Sequence, residues 1–392
     1  MLRSLFSGIS GLRSHQTMLD VTGNNIANVN TTGFKASQIQ FQDTLSQMLN
    51  AASGAQDGVG GQNPAQVGLG VQVAGITTNF KQGASQLTGR STDMMISGDG
   101  FFVVRQGNQQ FYTRAGSFDF DVNGQMVLPG AGAMVQGWAA VNGVIDTTKP
   151  VGDIKVAVGT VMPAKATQNA PFAGNLKADA DNGTVQTVTT KAYDALGNAR
   201  EISLTFTKSA TGWTMAASDG TNTVAAAPLT FDGSGNLSSA GAFTLGGVNV
   251  DISGVTSMAG VDTIAAGKQD GYAAGILQSF TLGSDGTING AFSNGLKQDL
   301  GRIAMASFTN PAGLSKAGGS LFTTTVNSGD PQIGAAGVGG RGTLSSGSLE
   351  MSNVDLSTEF TQLIIAQRGF QANSRVITTS DEVLQELVNL KR

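Results

Sequence analysis

The stretch NNIANVNTTGFK, residues 24–35, marks a change in the kind of sequence close to the N-terminus. The apolar residues that precede it recur every seven positions, with two more on the adjacent row: Leu5, Leu12, Leu19 and Ile26, joined by Leu2 and Ile9. This spacing predicts a helix with one apolar seam. The Asn and Thr side chains of the stretch compete with the backbone for hydrogen bonds. We therefore expect the first helix to end there, before an extended segment begins.

The C-terminal sequence repeats this design. Its apolar residues also recur every seven positions: Leu356, Leu363, Phe370, Ile377 and Leu384. The neighbouring row is mostly polar, so the apolar stripe is narrow. Ser352 and Asp355 stand three apart, as in a capping pattern, and Lys391 and Arg392 would complement the negative end of a helix. These features predict a second long helix.

Two interpretations of the seams are open at this level. In the first, the two helices pack on each other or on a local core, which is the usual role of an apolar stripe. In the second, neighbouring copies of the chain complete the core, because the glycine-rich sequence beside the helices offers little cover for their other faces. The second interpretation predicts a subunit interface made of the residues spaced by seven on both helices, together with Ile9. These are Leu5, Ile9, Leu12, Leu19, Ile26, Leu356, Leu363, Phe370, Ile377 and Leu384.

Between the two helical regions the sequence changes to a β pattern. Residues 51–70 lack periodicity and are expected to form an extended connector. The expected domains are the terminal helices with their connector (1–70 and 340–392), a first β domain (71–141 and 276–339) and a second β domain inserted in it (142–275). The predicted fold is therefore mainly β, with α-helical termini that pair as a coiled-coil-like domain.

Turn signals support hairpins within this β region. Phe118, Phe120 and Val122 alternate with polar residues and are followed by Asn123-Gly124, a strong signal for a tight turn. Further turns are expected at Gly197-Asn198, Gly235-Asn236 and Asp285-Gly286. Because tight turns join antiparallel neighbours, the β region is expected to be antiparallel.

Composition narrows the possible functions. The chain has 392 residues, a net charge of −4, no Cys, 55 Gly and only 13% charged residues. A chain without a basic stripe is not expected to bind nucleic acid, and one without Cys has neither disulfides nor thiolate metal sites. No apolar stretch reaches the roughly 20 residues of a membrane span, and Ser and Gly interrupt the N-terminus. We expect no membrane insertion and no cleavable signal peptide.

Residues that could carry chemistry are few. The first half of a calcium loop is matched by Asp119, Asp121, Asn123 and Gly124. Gly130 occupies the twelfth position, where such a loop needs a bidentate Glu, so a hairpin turn explains these residues better. His15 is the only histidine and is expected to be solvated or interfacial. We expect no catalytic residue, no metal site and no cofactor, and therefore no enzyme.

The opening stretch also carries a motif made of Asn24, Asn25, Ile26, Ala27, Asn28, Thr31, Gly33, Phe34 and Lys35. This motif resembles the signature of the axial proteins of the bacterial flagellum, the family of rod, hook and hook-associated subunits. Similar order and spacing continue at residues 60–76, 96–138 and 344–390. Together these segments cover both ends of the chain and the first β domain.

The resemblance implies an axial polymer in which the terminal helices form an inner tube and the β domains point outward. The segment GYAAGILQSFTLGSDGTINGAFSNG, residues 271–295, is similar to the strand that re-enters the inner domain of hook-type members, and the inserted domain resembles their outer domain. We therefore expect a structural subunit of the hook, at the cell exterior, that acts as a curved universal joint and transmits torque from rod to filament.

The partners that the resemblance implies are further copies of the chain, the distal rod, the hook cap, the hook–filament junction proteins and the flagellar export apparatus. A rod or hook-associated subunit is the alternative within the family. A secreted β-rich adhesin or hydrolase could share the composition, but it would not need matching apolar seams at both ends of the chain.

Overall fold

The computed structural model describes residues 2–54, 60–157 and 159–390. Two long helices stand at its ends, α1 at Leu2–Ala27 and α2 at Leu356–Asn389. Within the described residues, thirty strands and a short 3-10 helix, Pro311–Gly313, lie between them. The two long helices pack against each other, which confirms the predicted class of a mainly β protein with paired helical termini.

The strands are short and follow each other closely. The first twelve are β1 (Ser37–Asp43), β2 (Ser46–Asn50), β3 (Ala65–Gly68), β4 (Val71–Thr78), β5 (Ser85–Leu87), β6 (Met94–Ser97), β7 (Phe101–Gln106), β8 (Gln109–Thr113), β9 (Asp119–Phe120), β10 (Met126–Leu128), β11 (Ala133–Ala139) and β12 (Gly152–Asp153). The next ten are β13 (Val161–Met162), β14 (Asn169–Lys177), β15 (Val185–Tyr193), β16 (Ala199–Ser209), β17 (Gly212–Ser218), β18 (Thr223–Leu229), β19 (Ala242–Leu245), β20 (Val248–Met258), β21 (Ala265–Ala266) and β22 (Gly275–Leu282). The last eight are β23 (Thr287–Phe292), β24 (Lys297–Ile303), β25 (Met305–Ser307), β26 (Ser315–Gly318), β27 (Leu321–Thr323), β28 (Gln332–Gly334), β29 (Thr343–Ser346) and β30 (Ser348–Glu350).

The described chain divides into two compact units. The first comprises Met1–Val156, Thr281–Asn289 and Asp299–Arg392, and the second comprises Ala157–Phe280 and Gly290–Gln298. The chain therefore leaves the first unit after Val156, returns at Thr281 and contributes Gly290–Gln298 to the second unit before it returns again. This is the chain path of an inserted domain.

The second unit starts later in the sequence than the inserted domain that we predicted from residue 142. Residues 142–156 belong to the first unit, because β12 pairs with β11 and because Ile154 and Val156 are buried there. The predicted boundary rests on a change to Ala/Thr/Gly-rich composition, whereas strand pairing and burial decide where this segment packs. The division into three domains stays a prediction.

The core of the first unit lies against one sheet. Its strand order is β11-β7-β8-β27-β26, and β25 pairs with both β7 and β28. Aromatic rings meet edge to face on this sheet, with centroids 5.6 Å apart for Phe101 and Phe308 and 4.8 Å apart for Tyr112 and Phe308. The predicted turn at Asn123-Gly124 joins β9 to β10, with Gly124 at a φ of 73°, which confirms that hairpin.

The second unit has a core of its own between two four-stranded sheets. Their strand orders are β19-β20-β14-β21 and β15-β16-β17-β18. The buried core includes Phe172, Phe206, Trp213 and Val250, each at most 1% exposed. Most pairs are antiparallel, as expected, but β14 and β20 run parallel. A parallel pair needs a long connection, which no turn signal announces.

The helix pair is held at close range by glycines. A β-carbon at Gly11 of α1 would lie 2.6 Å from Oδ1 of Asn373 on α2. A β-carbon at Gly369 of α2 would lie 2.5 Å from the ring of His15 on α1. Both distances are too short for a real β-carbon, so a larger residue at either position would require the facing Asn373 or His15 side chain to move. His15 is thus interfacial, and its ring also lies 6.0 Å from that of Phe41.

The helix α2 begins one residue after its cap. The Asp355 side chain accepts a hydrogen bond from the Ser357 backbone N–H at 2.9 Å, so Asp355 is the N-cap. Ser352, part of the predicted capping pattern, lies too far before the first helical residue and accepts instead from the Val354 N–H at 3.4 Å. Lys391 and Arg392 lie outside the described residues.

Strands β1 and β4 lie beside α1. Strand β1 pairs antiparallel with β4, and β2 pairs antiparallel with β3. The hydroxyl of Ser10 on α1 accepts from the Val71 N–H at 3.2 Å and so attaches α1 to β4. The connector expected at 51–70 therefore includes β3, because strand pairing uses backbone groups and needs no side-chain periodicity.

Candidate functional site

The motif at residues 24–35 lies where the helix pair meets the β sheets of the first unit. Asn25 of α1 is 1% exposed, and its side chain bonds to two other elements. Its Nδ2 donates to the Ser37 carbonyl at 2.8 Å and to Oε1 of Glu359 at 2.9 Å, and its Oδ1 accepts from the Ser37 N–H at 3.0 Å. One side chain thus connects the last turn of α1, the start of β1 and the first turn of α2.

Glu359 is an unusual partner for that amide. Its carboxylate is buried, and Oε2 has no hydrogen-bond partner among the described residues. Burial raises the pKa of Glu359, and the charge of Asp355 raises it further, while the hydrogen bond from Asn25 opposes both effects. The first turn of α2 therefore holds an acid that favours its neutral form more than an exposed Glu does.

Gly33 brings the motif into contact with the β backbone. Its φ is +67°, and a β-carbon there would lie 2.5 Å from the Ala115 backbone nitrogen. Its N–H donates to the Glu350 carbonyl at 2.8 Å. Both the backbone conformation and the close approach require glycine, so this residue fixes the path of the chain as it leaves α1.

Lys35 forms a buried ion pair two residues later. Its Nζ lies 2.6 Å from Oε1 of Glu350, and both side chains are fully buried. Nζ also donates to the Lys81 carbonyl at 2.8 Å. Burial lowers the pKa of Lys35, and the hydrogen bond and charge of Glu350 work against that shift.

Glu350 collects further donors. Oε1 accepts from the Gly83 N–H at 2.9 Å, and Oε2 lies 3.4 Å from Nη1 of the buried Arg114. Burial also lowers the pKa of Arg114, again opposed by Glu350. Two buried cations share one carboxylate, so removing that carboxylate would leave both of them without a counter-charge.

Asn353 completes the network. Its Oδ1 accepts from the Ala36 N–H at 2.8 Å, and its Nδ2 donates to the carbonyls of Asn79 at 2.7 Å and Lys81 at 3.0 Å. We call this network the joint and define it by Asn25, Gly33, Lys35, Arg114, Glu350, Asn353 and Glu359. The joint connects both ends of the chain to the sheets of the first unit.

The other motif residues end α1 and shape its surroundings. Nδ2 of Asn28 donates to the Asn24 carbonyl at 2.9 Å, and the Thr31 hydroxyl donates to Oδ1 of Asn28 at 3.0 Å. These bonds satisfy groups at the C-terminal end of the helix, as the Asn and Thr content predicted. Ile26 is half-buried, Ala27 is exposed, and the half-buried Phe34 ring lies 5.0 Å from Nζ of Lys316.

The predicted seam residues do not all face the partner helix. Those on α1 are half-buried: Leu5, Ile9, Leu12, Leu19 and Ile26. On α2, Leu363, Ile377 and Leu384 are half-buried, whereas Leu356 is 40% and Phe370 39% exposed. Ile377 packs over Gly8 of α1, where a β-carbon would lie 3.2 Å from it. A role for these ten residues at a subunit interface stays a prediction.

The predicted interface set omits a larger group of exposed apolar side chains on α2 and at its C-cap. They are Phe360, Ile364, Ile365, Val376, Val383, Leu387, Val388 and, at the C-cap, Leu390. At 100° per residue, Phe360 and Ile364 lie beside Leu356 on one flank, while Ile365, Val376 and Val383 lie on the opposite flank. Spacings of four and seven from Phe360 or Val376 could have revealed them. The helix pair thus carries two exposed apolar flanks.

The remaining candidates have structural roles. Oδ1 of Asp121 accepts from the backbone N–H groups of Asn123 at 2.9 Å and Gln125 at 2.7 Å, so this carboxylate closes the hairpin turn. Asp119 accepts from the Phe120 N–H at 2.9 Å. Among the residues that the structure describes, no helix has the length and apolar character needed to cross a membrane.

Family comparisons match most of the chain in sequence order. The matching descriptions are flagella basal body rod protein (residues 5–35), flagellar hook protein FlgE/F/G D1 domain (95–169), flagellar basal body protein FlaE D2 domain (162–272) and flagellar basal body rod FlgEFG protein C-terminal (345–390). The first and last of these contain both helices and much of the joint.

Individual relatives match over the full length. The flagellar hook protein FlgE of Borreliella burgdorferi is 41% identical over 100% of both chains. The hook protein FlgE of Salmonella typhimurium is 35% identical over 99% of this chain and 100% of its own, and the basal-body rod protein FlgG of Bacillus subtilis is 35% identical over 100% of both. A crystal structure of the Helicobacter pylori flagellar hook protein FlgE2 has a TM-score of 0.52 at 14% identity, covers 68% of this chain and 100% of that one, and supports the fold. This chain therefore belongs to the flagellar hook protein family, within the wider group of flagellar hook and rod proteins.

Proposed function

We propose that this chain is the structural subunit of a flagellar hook, which polymerises through its terminal helices into a curved tube and transmits torque from rod to filament. Full-length similarity to hook proteins supports a structural hook subunit. The observation that carries the polymerisation step is the pair of exposed apolar flanks on α2.

The flanks supply a driving force for assembly. Complete burial of a large apolar side chain contributes about 1.5–3 kcal/mol, and a half-exposed one contributes about half of that. Eight such side chains on α2 and at its C-cap together reach the range of about 4–15 kcal/mol that association costs. Neighbouring copies of the helix pair would offer the matching apolar surface.

The joint supports the transmission of torque. Its buried ion pair and its hydrogen bonds attach both helices to the sheets of the first unit. A helix that turns with the inner tube would therefore turn the sheets of the same unit with it. Flexibility in a bending hook would then lie elsewhere, at contacts that exchange without breaking this network.

A rod subunit is the second candidate, because the Bacillus subtilis rod protein matches over its whole length at 35% identity. The proposed partners of the hook subunit are further copies of itself, the distal rod, the hook cap, the hook–filament junction proteins and the export apparatus. Its proposed place is the exterior part of the bacterial flagellum, reached without a cleavable signal peptide. The family is one of structural proteins, and we propose no catalytic activity, no cofactor and no nucleic-acid partner.

Electron microscopy of the purified chain tests the proposal. Curved tubes are expected for a hook subunit, short straight rods would favour the rod candidate, and discrete particles under all assembly conditions would contradict both.

The flanks can be tested by two charge insertions. Ile364→Asp and Val383→Asp, one on each flank, are expected to raise the critical concentration for polymerisation at least about tenfold, because a carboxylate would be buried without a partner. Sedimentation of polymer measures this change. Leu196→Asp, at an 83% exposed position in a turn of the second unit, is the matched control and should assemble like the unmodified chain. Normal assembly of both flank variants would remove the helix flanks from the proposal.

A further inference from the structure

A cavity of about 230 Å³ lies beside the joint in the first unit. The end of α1 and the residues after it form one wall, with Asn24, Asn28 and Phe34. The turn between β26 and β27 forms the other wall, with Lys316 and Ser320. The hydrogen bonds of the joint do not use this cavity, although Gly33 and Lys35 belong to both.

Lys316 is a cation without a counter-charge in this cavity. Its Nζ donates to the Ser37 hydroxyl at 2.9 Å and to the Lys35 carbonyl at 3.4 Å, and it lies 5.0 Å from the centre of the Phe34 ring. No carboxylate of the described residues forms an ion pair with it, whereas Lys35 is paired with Glu350. Lys316 is exposed as a whole residue, but the partial burial of its ammonium lowers its pKa. The ammonium thus loses water without gaining an acid.

The wall opposite α1 is held in a fixed shape. Gly318, Gly319 and Ser320 have φ values of 87°, 57° and 61°, and Ser320 is a non-glycine residue in this left-handed region. The Thr113 hydroxyl donates to the Ser320 carbonyl at 2.8 Å and holds the turn against β8. A non-glycine residue pays a conformational cost for such a backbone, so the turn has its shape before anything binds.

We propose that this cavity receives an Asp or Glu side chain from a neighbouring copy of the chain, with the carboxylate on Lys316 and the methylene groups against Phe34 and Leu321. The proposal rests on the proposed function, because it needs a polymer. The nearby acids of the joint, Glu350 and Glu359, already bind Lys35 and Asn25.

Charge and concentration favour a second copy as the occupant. The chain has 27 acidic and 23 basic residues, so acids are in excess on every copy. An unpaired ammonium attracts a carboxylate, and the pair strengthens when the contact excludes water. In a polymer of identical subunits, the neighbour is the partner at the highest local concentration.

Zero-length carbodiimide cross-linking tests the contact directly, because it joins an amine only to a carboxylate that touches it. Polymer and monomer of the unmodified chain are cross-linked, digested and analysed by mass spectrometry. We expect a link between Lys316 and an acidic residue in the polymer, absent from the monomer, and mixed isotope-labelled subunits should show that it joins two copies. A polymer with cross-links at other lysines and none at Lys316 would overturn the proposal.

Two substitutions separate docking from a structural role. Lys316→Glu is expected to raise the critical concentration for polymerisation about tenfold, because it places two carboxylates together, whereas Lys316→Arg stays within about twofold. The melting temperature of the monomer should change little in either variant. Lys208→Glu is the matched control, since Lys208 also lies over an aromatic ring, 5.5 Å from Trp213, and donates to the Ala178 carbonyl at 2.9 Å in the second unit.

Two results would contradict the docking role of Lys316. One is normal assembly of Lys316→Glu. The other is an equal loss of monomer stability in both Lys316 variants, which would mean that Lys316 only ties β26 to β1. Failure of the unmodified chain to polymerise would instead refute the proposed function, and this inference with it.

Discussion

The helix pair and the second unit solve the problem of burial in opposite ways. The second unit buries large side chains such as Phe206 and Trp213 almost completely between its own two sheets. The helix α2, with 34 residues, buries only Glu359 and Ala366 to a similar degree and leaves apolar side chains on both flanks exposed. The second unit therefore has a complete hydrophobic core, whereas α2 leaves much of its apolar surface uncovered. Stability of the fold and capacity for assembly therefore reside in separate parts of the chain.

The joint decides whether this separation is real, and it should give the largest effect. Glu350→Ala leaves the buried Lys35 and Arg114 without a counter-charge, so the free energy of unfolding of the first unit is expected to fall by about 3–5 kcal/mol. Chemical denaturation followed by hydrogen exchange measures each unit separately. The second unit should keep its stability, and a parallel loss in both units would break the comparison.

The control for this substitution is an exposed ion pair in the same unit. Asp119 lies 3.6 Å from Arg90, and the two side chains are 60% and 55% exposed. Asp119→Ala is expected to cost less than about 1 kcal/mol, because water already solvates both groups. Equal losses for Asp119→Ala and Glu350→Ala would show that burial of the joint has no special energetic weight.

Two glycines of α1 allow a test with a smaller expected effect. Substituting each by Ala should change the stability of the helix pair in opposite directions. Gly11→Ala places a β-carbon 2.6 Å from the Asn373 side chain, which must move, and should destabilise the helix pair by about 1 kcal/mol. Gly23→Ala is the control, because nothing lies within 4 Å of its β-carbon, and it should stabilise α1 by up to about 1 kcal/mol. Thermal unfolding followed by far-ultraviolet circular dichroism measures the loss of helix. The same sign for both variants would mean that α1 and α2 do not pack this closely.

The smallest expected effect is on the pH dependence of stability. Glu359 and Asp355, at the start of α2, should contribute to it in opposite pH ranges. Burial raises the pKa of Glu359 above its usual 4.5, so its favourable contribution is present at low pH and is lost as pH rises through the folded pKa. Hydrogen bonds from Thr358 and Ser357 lower the pKa of Asp355 below its usual 3.8, so its contribution is present above that value and is lost as pH falls.

Melting temperatures of two variants separate these contributions. Between pH 4.5 and 7, where 4.5 is the usual value for Glu, the unmodified chain should lose stability relative to Glu359→Gln. Relative to Asp355→Asn it should lose stability only as pH falls below 3.8. Parallel pH profiles for the two variants would contradict the assigned burial of Glu359.

Structural features that depend on a few neighbouring residues could be predicted from the sequence. The seven-residue spacing of Leu5, Leu12 and Leu19 predicted α1, and Asn123-Gly124 predicted a hairpin that the structure contains. The motif predicted the end of α1, because Asn and Thr side chains act on nearby backbone groups. These features need only a few neighbouring residues to form.

Contacts between distant residues could not be predicted in the same way. Lys35 and Glu350 are 315 positions apart, and nothing in the sequence around either marks its partner. The capping pattern placed Ser352 as a candidate, yet Asp355 caps α2, because the chain before it turns to bond with the motif. The seven-residue pattern also hid Phe360 and Ile364, whose exposure depends on where α1 lies.

The distance between Lys35 and Glu350 along the chain has a consequence for the timing of folding. A polypeptide delivered N-terminus first presents Lys35 early, but the acid that neutralises it arrives only after 315 further residues. Until then the amine stays hydrated and the two ends stay apart. The ion pair between Lys35 and Glu350 can therefore form only after nearly the whole polypeptide has arrived, so the joint forms late in folding.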